Sequence, residues 1–278
     1  MSEIMLRKST ESDKSLLADM VKDGHYGKNI NFDRPDRMTV AEYDGIITGF
    51  MYTNAYDGGS YVMIYILPDY RRRGIGTALF NQAEKLAREA KSDTLWSEYQ
   101  NIEESENFVN KLGYDELRAM INMKYSGGLI PEKDFLIRKY EDNDFDRYFY
   151  INENAWHELR LRTGDKDSKL NLSDEHREWL RKEARGYDNS FVLEDGGQVV
   201  ALGSFNKDYI DAVCVDIALY NRGYGRAMTI FLTNEILRRG NEAAYLSVQK
   251  GNDNAHHIYK TVGYKETHTV YCPIKKLK

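Results

Sequence analysis

Two segments of the chain combine arginines with a pair of closely spaced glycines. The first consists of Arg71, Arg72, Arg73, Gly74, Ile75, Gly76 and Thr77, and the second of Arg222, Gly223, Tyr224, Gly225 and Arg226. An apolar strand is predicted just before each segment, running through Ile66 to residue 67 or through Val215 to residue 217, and a helix is predicted after it. Glycines let the backbone approach a ligand, free N–H groups at a helix start favour an anion, and arginines add charge-assisted hydrogen bonds. The pattern predicts a pyrophosphate-binding loop, with a tight turn carrying a solvated basic surface as the alternative.

Two other phosphate-binding motifs do not fit these segments. The dinucleotide fingerprint needs a third glycine, where the chain has Leu79 in the first segment and Met228 in the second. The loop of nucleotide hydrolases needs Gly-Lys followed by Ser or Thr, which neither segment contains. Because the arginine and glycine pattern occurs twice in matching positions, the ligand-binding interpretation is favoured over a turn alone.

The two segments belong to an internal repeat that spans most of the chain. Residues 6–13 match 137–144 at an offset of 131, residues 73–76 match 222–225 at 149, and residues 111–114 match 261–264 at 150. Matches in the same order predict two copies of one domain, 1–128 and 132–278, with a linker near residues 126–131. The rise in offset from 131 to 149 means that the second copy carries 18 additional residues, around 156–185.

Each copy has the element order of a mixed α/β domain. Apolar periodicity and turn residues predict, in the first copy, strand 4–8, helix 10–21, hairpin 39–52, strand 60–67, helix 77–90, strand 94–99, helix 103–111 and a closing strand 114–124. The second copy predicts strand 135–139, hairpin 191–206, strand 209–217, helix 226–238, strand 244–248 and helix 254–261. An antiparallel hairpin followed by a strand–helix–strand crossover is therefore expected in both copies.

Together these features resemble the GNAT superfamily of N-acyltransferases. Arg71-x-x-Gly74-x-Gly76, preceded by Pro68-Asp69-Tyr70 and followed by a helix, is similar to the acetyl-CoA pyrophosphate loop of that family. The resemblance covers nearly the whole chain, as a tandem pair of domains. It implies an N-acetyltransferase in which acetyl-CoA and an amine bind together and the acetyl group moves directly between them.

A second family signature is complete only in the second copy. It consists of Asn252, Ala255, Tyr259, Gly263 and Tyr264. The resemblance implies that Asn252 helps to hold the pantetheine arm of acetyl-CoA and that Tyr259 protonates the departing thiolate. A phenol has a proton to give, which a thiolate near neutral pH needs. An aromatic packing residue on an amphipathic helix is the alternative for Tyr259.

Each copy departs from the family pattern at a different place. In the first copy, Val109 stands where the second has Tyr259, and Asn101 is one residue out of register. In the second copy, Tyr220 replaces the leading Gln or Arg of the loop, and Ile217 replaces the proline at the strand end. Valine cannot act as an acid, whereas the glycine backbone can still bind phosphate. The second copy is therefore predicted to carry the chemistry, and the first either binds acetyl-CoA or only braces the active domain.

The other parts of a transfer site are also predicted in the second copy. The resemblance implies that a backbone N–H near Val215 supports the thioester oxygen as charge develops on it. Asp211 and Asp216 are candidates for the base that removes the amine proton. Strand alternation puts them on opposite faces, so that at most one is expected to reach the substrate. The additional segment is expected to line the acceptor site with Trp156, His157, Glu158 and Asp165. The alternative is that it forms only a solvated polar helix.

The expected acceptor is the primary amine of a small molecule rather than a protein. The alternative function is that of a non-catalytic tandem protein that binds acyl-CoA or regulates, having kept the fold and lost catalysis. Val109, in the position that Tyr259 occupies in the second copy, is the kind of substitution that a loss of catalysis leaves. The presence of Tyr259 argues against such a loss in the second copy.

Composition excludes several further classes of protein. The 278 residues are 41% hydrophobic and 30% charged, with a net charge of −5, so neither a disordered chain nor a strongly basic nucleic-acid binder is expected. The sequence has no run of about 20 apolar residues and starts without an apolar secretory stretch. These features predict a cytoplasmic monomer or homodimer that binds no membrane.

The cysteines and histidines do not suggest a metal or nucleophile site. Cys214 and Cys272 are too few for a disulfide framework or a thiolate cluster, and Cys214 is expected to be buried packing. His256 and His257 are adjacent on a predicted helix and point about 100° apart. No bound metal is therefore predicted.

Overall fold

The computed structural model describes residues 3–21, 30–56, 59–100, 103–114, 116–164, 168–186 and 189–277. The chain forms two compact units. Unit 1 comprises Met1–Ala119 and Val270–Lys278, and unit 2 comprises Met120–Thr269. Each unit mixes helices with β-strands, which confirms the predicted α/β fold class.

Unit 1 contains an antiparallel meander followed by a parallel crossover. Its elements are strand β1 (Ile4–Lys8), helix α1 (Lys14–Val21), strands β2 (Met38–Tyr43), β3 (Ile46–Tyr56) and β4 (Gly59–Ile66), helix α2 (Ile75–Glu89), strands β5 (Thr94–Trp96) and β6 (Tyr99–Gln100), and helix α3 (Glu103–Lys111). Strands β1 to β4 pair antiparallel in chain order, and β4 pairs parallel with β5. These elements confirm the order predicted for the first copy.

Local sequence explains how unit 1 begins. The Thr10 backbone N–H donates to the Asp13 carboxylate at 2.8 Å, which completes a capping box ahead of α1. The turn between β2 and β3 falls on Asp44 and Gly45, whose φ angles are 52° and 79°. Two residues with positive φ form the tight turn that suits a hairpin, and the predicted hairpin follows from them.

The sheet of unit 1 is covered on both faces. Phe50 of β3 packs in a cluster with Leu17 of α1, whereas its neighbour Met51 packs with Leu79 of α2. The side chains of Phe50 and Met51 are both fully buried. Because successive residues of a strand point to opposite faces, the strand sequence needs apolar side chains on both sides.

Unit 2 repeats this plan with a larger helical part. Its elements are strands β7 (Glu116–Tyr125) and β8 (Leu136–Lys139), helices α4 (Phe145–Arg162) and α5 (Asp174–Gly186), strands β9 (Ser190–Asp195), β10 (Gln198–Asn206) and β11 (Tyr209–Val215), helix α6 (Tyr224–Arg238), strand β12 (Ala244–Gln249), helix α7 (Asp253–Val262) and strand β13 (Lys265–Lys276). Only the residues of β7 from Met120 onwards and those of β13 up to Thr269 belong to unit 2. Strands β8 to β11 pair antiparallel in chain order, and β11 pairs parallel with β12.

Each unit is completed by a strand from the other half of the sequence. Residues 120–125 pair antiparallel with β12 in unit 2, and residues 274–276 pair antiparallel with β5 in unit 1. This grouping differs from the predicted ranges 1–128 and 132–278 by an exchange of closing strands, and β13 was not predicted at all. Since the two copies share one element order, a repeat in the sequence does not show which closing strand pairs with which sheet.

The additional residues of the second copy lie in the segment of helices α4 and α5. Helix α1 has 8 residues up to Val21, after which residues 22–29 lie outside the described part of the chain, whereas α4 has 18. The offset of 131 places Val21 opposite Asn152, so that residues 153–162 are the extension of α4. Helix α5 lies against α4, where His176 Nε2 and Glu153 Oε1 are 2.8 Å apart. The extension of α4 is the part of this segment that reaches the site described next.

Candidate functional site

A cleft opens in unit 2 where two neighbouring strands separate. β11 and β12 pair parallel at Tyr209 and Tyr245, next to a hydrogen bond of 2.8 Å from Tyr245 N–H to Asp208 C=O. Further along, β11 pairs with β10 and β12 with β7. The space between them holds a cavity of about 560 Å³, a volume typical of ligand sites. The predicted site residues that line it are Asp211, Val215, Gly223, Tyr224, Gly225, Arg226, Asn252 and Tyr259.

The loop that follows β11 presents its backbone to this cavity. Gly223 caps α6 with a φ of 89°, a conformation that L side chains rarely adopt. The first helical hydrogen bond after the cap runs from Ala227 N–H to Gly223 C=O at 2.9 Å. The preceding N–H groups of the first turn lie at the positive end of the helix dipole and suit an anion. They belong to Tyr224, Gly225 and Arg226.

The two arginines of this loop have different surroundings. Arg226 lines the cavity. Arg222 lies outside the lining, near Tyr224, whose hydroxyl donates to Asp195 of β9. Arg226 is therefore the loop cation that a ligand in the cavity meets.

Asp216 and Ile217 also lie outside the lining of the cavity. Asp216 is buried, accepts a hydrogen bond from Ala218 N–H at 3.0 Å and forms an ion pair with Arg147 of α4. This cap begins a short 3-10 turn at Ile217, so that β11 ends at Val215 rather than at the predicted residue 217. The structure brings Asp211, but not Asp216, to the cavity.

Asp211 occupies an irregular position of β11. Its neighbours Ile210 and Ala212 pair with Phe205 and Ser204, which are consecutive residues of β10, so that Asp211 is the extra residue of a β-bulge. Bulges re-aim side chains and are common next to active sites. The Asp211 carboxyl lines the cavity at its exposed side, and partial desolvation there raises its pKa above the ordinary range.

The backbone of Val215 faces the cavity. The next residue, Asp216, donates its N–H to Val200 C=O at 2.9 Å, on the β10 side of the strand. Because successive N–H groups of a strand point to opposite sides, the Val215 N–H points away from β10. Val215 lines the cavity, and its N–H is placed to donate to an oxygen bound there.

Tyr259 reaches the cavity from α7. Its side chain is 9% exposed, and its ring lies 6.2 Å from that of Tyr264, centroid to centroid. Burial raises the pKa of the Tyr259 hydroxyl well above its usual value, which keeps the phenol protonated at neutral pH. Asn252, at the start of α7, lines the same cavity. Tyr259 thus packs in the core and also presents a proton donor to the site.

The extension of α4 supplies one wall of the cavity. Trp156 and Glu158 line it as predicted, together with Leu159 and Arg162. His157 instead lies 3.2 Å from the hydroxyl of Ser168, and Asp165 lies outside the described residues. Sequence reasoning did not identify Arg162, although its spacing of four residues from Glu158 on a helix could have indicated that the two side chains meet.

Unit 1 has a smaller cavity, of about 320 Å³, at the corresponding loop. The predicted residues that line it are Ile66, Arg71, Arg72, Gly74, Gly76 and Thr77. Ile75 is buried in the core, and Arg73 lies over the rings of Tyr43 and Tyr70, at 5.3 and 5.4 Å from their centroids. A Cβ at Gly76 would come within 3.0 Å of Phe108, so the α3 ring closes tightly on this loop.

Two features of the larger cavity have no equivalent among the residues of unit 1 that the structure describes. Val109 of α3 stands where α7 has Tyr259, and β4 pairs with β3 without any register shift, so the bulge of Asp211 is missing as well. Asn101, the offset counterpart of Asn252, lies outside the described residues. The glycine loop is therefore common to both units, whereas the Tyr259 phenol and the carboxylate at the bulge belong to unit 2.

Other reactive side chains of unit 2 do not form a second centre. Burial and the nearby Glu153 carboxylate raise the pKa of the Cys214 thiol to about 12, which keeps it from acting as a thiolate. His256 Nε2 lies 2.9 Å from Glu266 Oε1 on the surface. Across the described ranges of the chain, no group of three His, Cys, Asp or Glu side chains is arranged to hold a metal ion.

Comparison with known families matches both halves of the chain. The family model described as "Acetyltransferase (GNAT) domain" matches residues 34–116, and the model described as "Acetyltransferase (GNAT) family" matches residues 141–264. No curated protein matches the sequence significantly. Within the part of the chain that the structure describes, no helix has the length and apolar content needed to cross a bilayer.

Several solved structures share the fold along the full chain at low sequence identity. A GCN5-related N-acetyltransferase from Sphaerobacter thermophilus has a TM-score of 0.71 at 15% identity, covering 99% of this chain and 96% of that one. A tandem GNAT protein from the clavulanic acid biosynthesis pathway has 0.66 at 14%, covering 99% of both chains. A putative acetyltransferase from Pyrococcus horikoshii has 0.61 at 14%, covering 99% and 90%.

Proposed function

This chain belongs to the GNAT superfamily as a tandem pair of domains, and on that premise we propose that unit 2 is an N-acetyltransferase. It transfers an acetyl group from acetyl-CoA to the primary amine of a small molecule while both are bound. The observation that carries the proposal is the meeting of three groups on one cavity of about 560 Å³: Asp211, Tyr259 and the backbone of the Gly223 loop.

The larger cavity suits the donor acetyl-CoA in three respects. The N–H groups of the first turn of α6 and the Arg226 side chain complement a pyrophosphate. The free edge of β11, including the Val215 N–H, can pair with the amide groups of a pantetheine arm. Asn252 adds an amide on the opposite wall. Acetyl-CoA supplies an activated acetyl group, and these groups of the chain bind it and orient it in the cavity.

Three groups of unit 2 divide the transfer step between them. The Asp211 carboxylate, directly or through a water molecule, accepts the proton of the acceptor ammonium, which frees the nitrogen for attack. The Val215 N–H donates to the thioester oxygen as negative charge develops on it. As the new C–N bond forms and the C–S bond breaks, the Tyr259 hydroxyl donates its proton to the departing sulfur, and the second proton that the nitrogen loses on becoming an amide restores the phenol. Holding amine and thioester together in one cleft contributes much of the rate.

The wall of the acceptor side favours a small cationic amine. Trp156 is 39% exposed and lines the cavity, and an indole face attracts an ammonium group. Asp211 adds a negative charge on the facing strand. A concave site of this kind takes a compact ligand more readily than the surface of a protein. We place the reaction in the cytoplasm, with the enzyme as a monomer or homodimer and without a nucleic-acid or membrane partner.

Unit 1 is assigned a supporting role. It has the loop but neither the acid nor the bulged carboxylate, and it therefore either binds acetyl-CoA without turnover or only braces unit 2. If unit 2 is inactive too, the whole chain is a non-catalytic acyl-CoA-binding or regulatory protein, which is the alternative favoured by Val109.

Two measurements test the proposal. Calorimetric titration measures the binding of acetyl-CoA, and the release of free CoA thiol in the presence of a panel of small amines measures turnover. Gly223→Glu puts a carboxylate into the loop of unit 2 and is expected to abolish both binding at that site and turnover. Gly74→Glu does the same in unit 1 and should leave turnover intact. Gly240→Glu is the matched control, because Gly240 has a similar φ of 86° and similarly open surroundings but lies outside the cavity.

Two results would overturn the proposal. Binding without CoA release from any amine would favour the non-catalytic alternative. Loss of turnover in Gly74→Glu, with Gly223→Glu unaffected, would move the active site to unit 1.

A further inference from the structure

The loops of the two units differ in the charges that they direct into their cavities. In unit 1, Arg71 and Arg72 line the cavity. At the offset of 149 the corresponding residues of unit 2 are Tyr220 and Asn221, so both of these cations are absent from the second loop. The arginine at the third position of each loop is no substitute, because Arg73 and Arg222 lie outside the linings.

An arginine from another element approaches the same place in unit 2. Arg162 is in the last turn of α4, and its side chain lies near the hydroxyl of Tyr220, so that each side chain affects the pKa of the other. Glu158, one turn earlier, accepts a hydrogen bond of 3.1 Å from Arg162 Nε and a second from its Nη2. All three residues line the larger cavity. Position 220 has no guanidinium of its own, but α4 places the guanidinium of Arg162 near it.

The ion pair with Glu158 orients Arg162 without closing it off. The carboxylate holds one edge of the guanidinium, through Nε and Nη2, and leaves Nη1 for other acceptors. The two side chains remain 30% and 35% exposed. The neighbouring carboxylate also raises the pKa of Arg162, so its positive charge is kept at every pH of interest. A pre-oriented cation on a rigid helix loses little freedom when an anion binds.

We propose that Arg162 is a donor-binding residue of unit 2: its guanidinium contacts a phosphate group of the acetyl-CoA held by the loop from Tyr220 to Arg226. Arg162 and Arg226 then supply the two guanidinium groups that Arg71 and Arg72 direct into the cavity of unit 1. This inference rests on the proposed function, since it needs acetyl-CoA to be the ligand of the larger cavity.

The inference also explains why the loop of unit 2 tolerates tyrosine at position 220. Burial and the Glu158 carboxylate raise the pKa of the Tyr220 hydroxyl to about 12, so it stays neutral beside Arg162. The loop position therefore carries no charge of its own, and the neighbouring positive charge comes from Arg162, which Glu158 orients. The extension of α4 thus serves the donor loop as well as the acceptor wall.

The test compares the affinity of the full-length protein for two ligands, acetyl-CoA and acetyl-pantetheine, by titration calorimetry. Acetyl-pantetheine has the thioester and the arm but no phosphate. Arg162→Gln is expected to weaken binding of acetyl-CoA to unit 2 by about 10- to 100-fold, the range for one hydrogen bond to a charged group. Binding of acetyl-pantetheine should stay unchanged.

Two further variants separate a charge effect from damage to the helix. Arg162→Gln combined with Tyr220→Arg returns a guanidinium to the loop position that Arg71 holds in unit 1, and should restore most of the lost affinity. Arg160→Gln is the control on the same helix, because Arg160 donates to Ser168 at 2.8 Å and does not line the cavity. Thermal unfolding of each variant shows whether α4 is intact.

The outcomes distinguish this inference from the proposed function. If the wild-type protein binds no acetyl-CoA, the proposed function fails and the role of Arg162 fails with it. If the wild type binds acetyl-CoA and Arg162→Gln binds it equally well, only the role of Arg162 is wrong. An equal loss for acetyl-pantetheine, or no rescue by Tyr220→Arg in a stably folded protein, also contradicts a phosphate contact.

Discussion

The guanidinium of Arg147 on α4 forms an ion pair with the carboxylate of Asp216, directly after β11. Asp216 is 5% exposed, and its second carboxylate oxygen accepts the N–H of Ala218 at 3.0 Å. One oxygen is thus engaged within the connection from β11 to α6, and the other ties this connection to α4. Of the two aspartates considered as a base, Asp216 stabilises this connection, and Asp211 is the one that lines the cavity.

Asp216→Asn is expected to lower the free energy of unfolding by about 1–3 kcal/mol, because it leaves the Arg147 charge without its partner in a largely buried place. Denaturant titration measures this change. Arg147→Met should cost less when Asp216→Asn is already present, since the two variants remove one interaction. Full stability of Asp216→Asn together with lost turnover would show instead that Asp216 is part of the chemistry.

Tyr259→Phe is expected to reduce turnover by roughly 10²–10⁴-fold while acetyl-CoA affinity stays nearly the same, because only the proton donor is removed. Steady-state kinetics and calorimetry give the two quantities separately. Tyr245→Phe is a suitable control, since Tyr245 lies on β12 but does not line the cavity. An unchanged turnover number would remove Tyr259 from the mechanism and leave it as a packing residue.

Turnover should rise with pH through the raised pKa of Asp211, because the carboxyl must lose its proton before it can act as a base. Asp211→Asn is expected to lose most of the activity and the acidic limb that Asp211 produces. A rate profile measured at saturating acetyl-CoA checks this. An acidic limb that persists unchanged in Asp211→Asn would assign the base to another group.

The raised pKa of Asp211 also predicts how the free energy of unfolding depends on pH. The folded state holds the Asp211 proton more tightly than the unfolded state, so the contribution of this residue to stability is present at low pH and is lost as pH rises through the raised pKa. Asp211→Asn has no such loss. It should therefore gain stability relative to the wild type as pH increases from acidic to neutral values, a difference that denaturant titrations at several pH values can follow.

A reciprocal exchange at the second loop position is expected to change stability in opposite directions. Arg72 and Asn221 both have left-handed backbones, with φ angles of 62° and 66°. Asparagine adopts this conformation far more readily than arginine. Arg72→Asn should raise the free energy of unfolding by about 0.5–1 kcal/mol, and Asn221→Arg should lower it by a similar amount. Changes of the same sign in both variants would contradict a backbone origin.

Much of the site could be predicted from the sequence because it depends on local chemistry. A glycine with positive φ before a helix start is required wherever the backbone must turn and present its N–H groups, which is why the loops at Gly74 and Gly223 were visible. Apolar periodicity and turn residues likewise indicated the order of elements, and the repeat offsets indicated the longer segment in the second copy. The contrast between Val109 and Tyr259 needed only alignment of the two copies.

Other features depended on which parts of the chain come together. Nothing in the sequence near Asp216 indicates that Arg147, 69 residues earlier, neutralises it. The bulge that turns Asp211 to the cavity arises from the register between β10 and β11, and the exchange of closing strands is visible only in the strand pairing. Arg162 meets Tyr220 only because α4 is long enough to reach the loop.

The sequence by itself determined the two copies, their element order and the glycine loops, because these follow from short-range periodicity and from backbone conformations that few residues allow. The tertiary structure alone decided which carboxylate faces the cleft, which strand closes each sheet and which arginine lies beside the second loop. These depend on distances between residues far apart in the chain, which are set by packing of the whole unit.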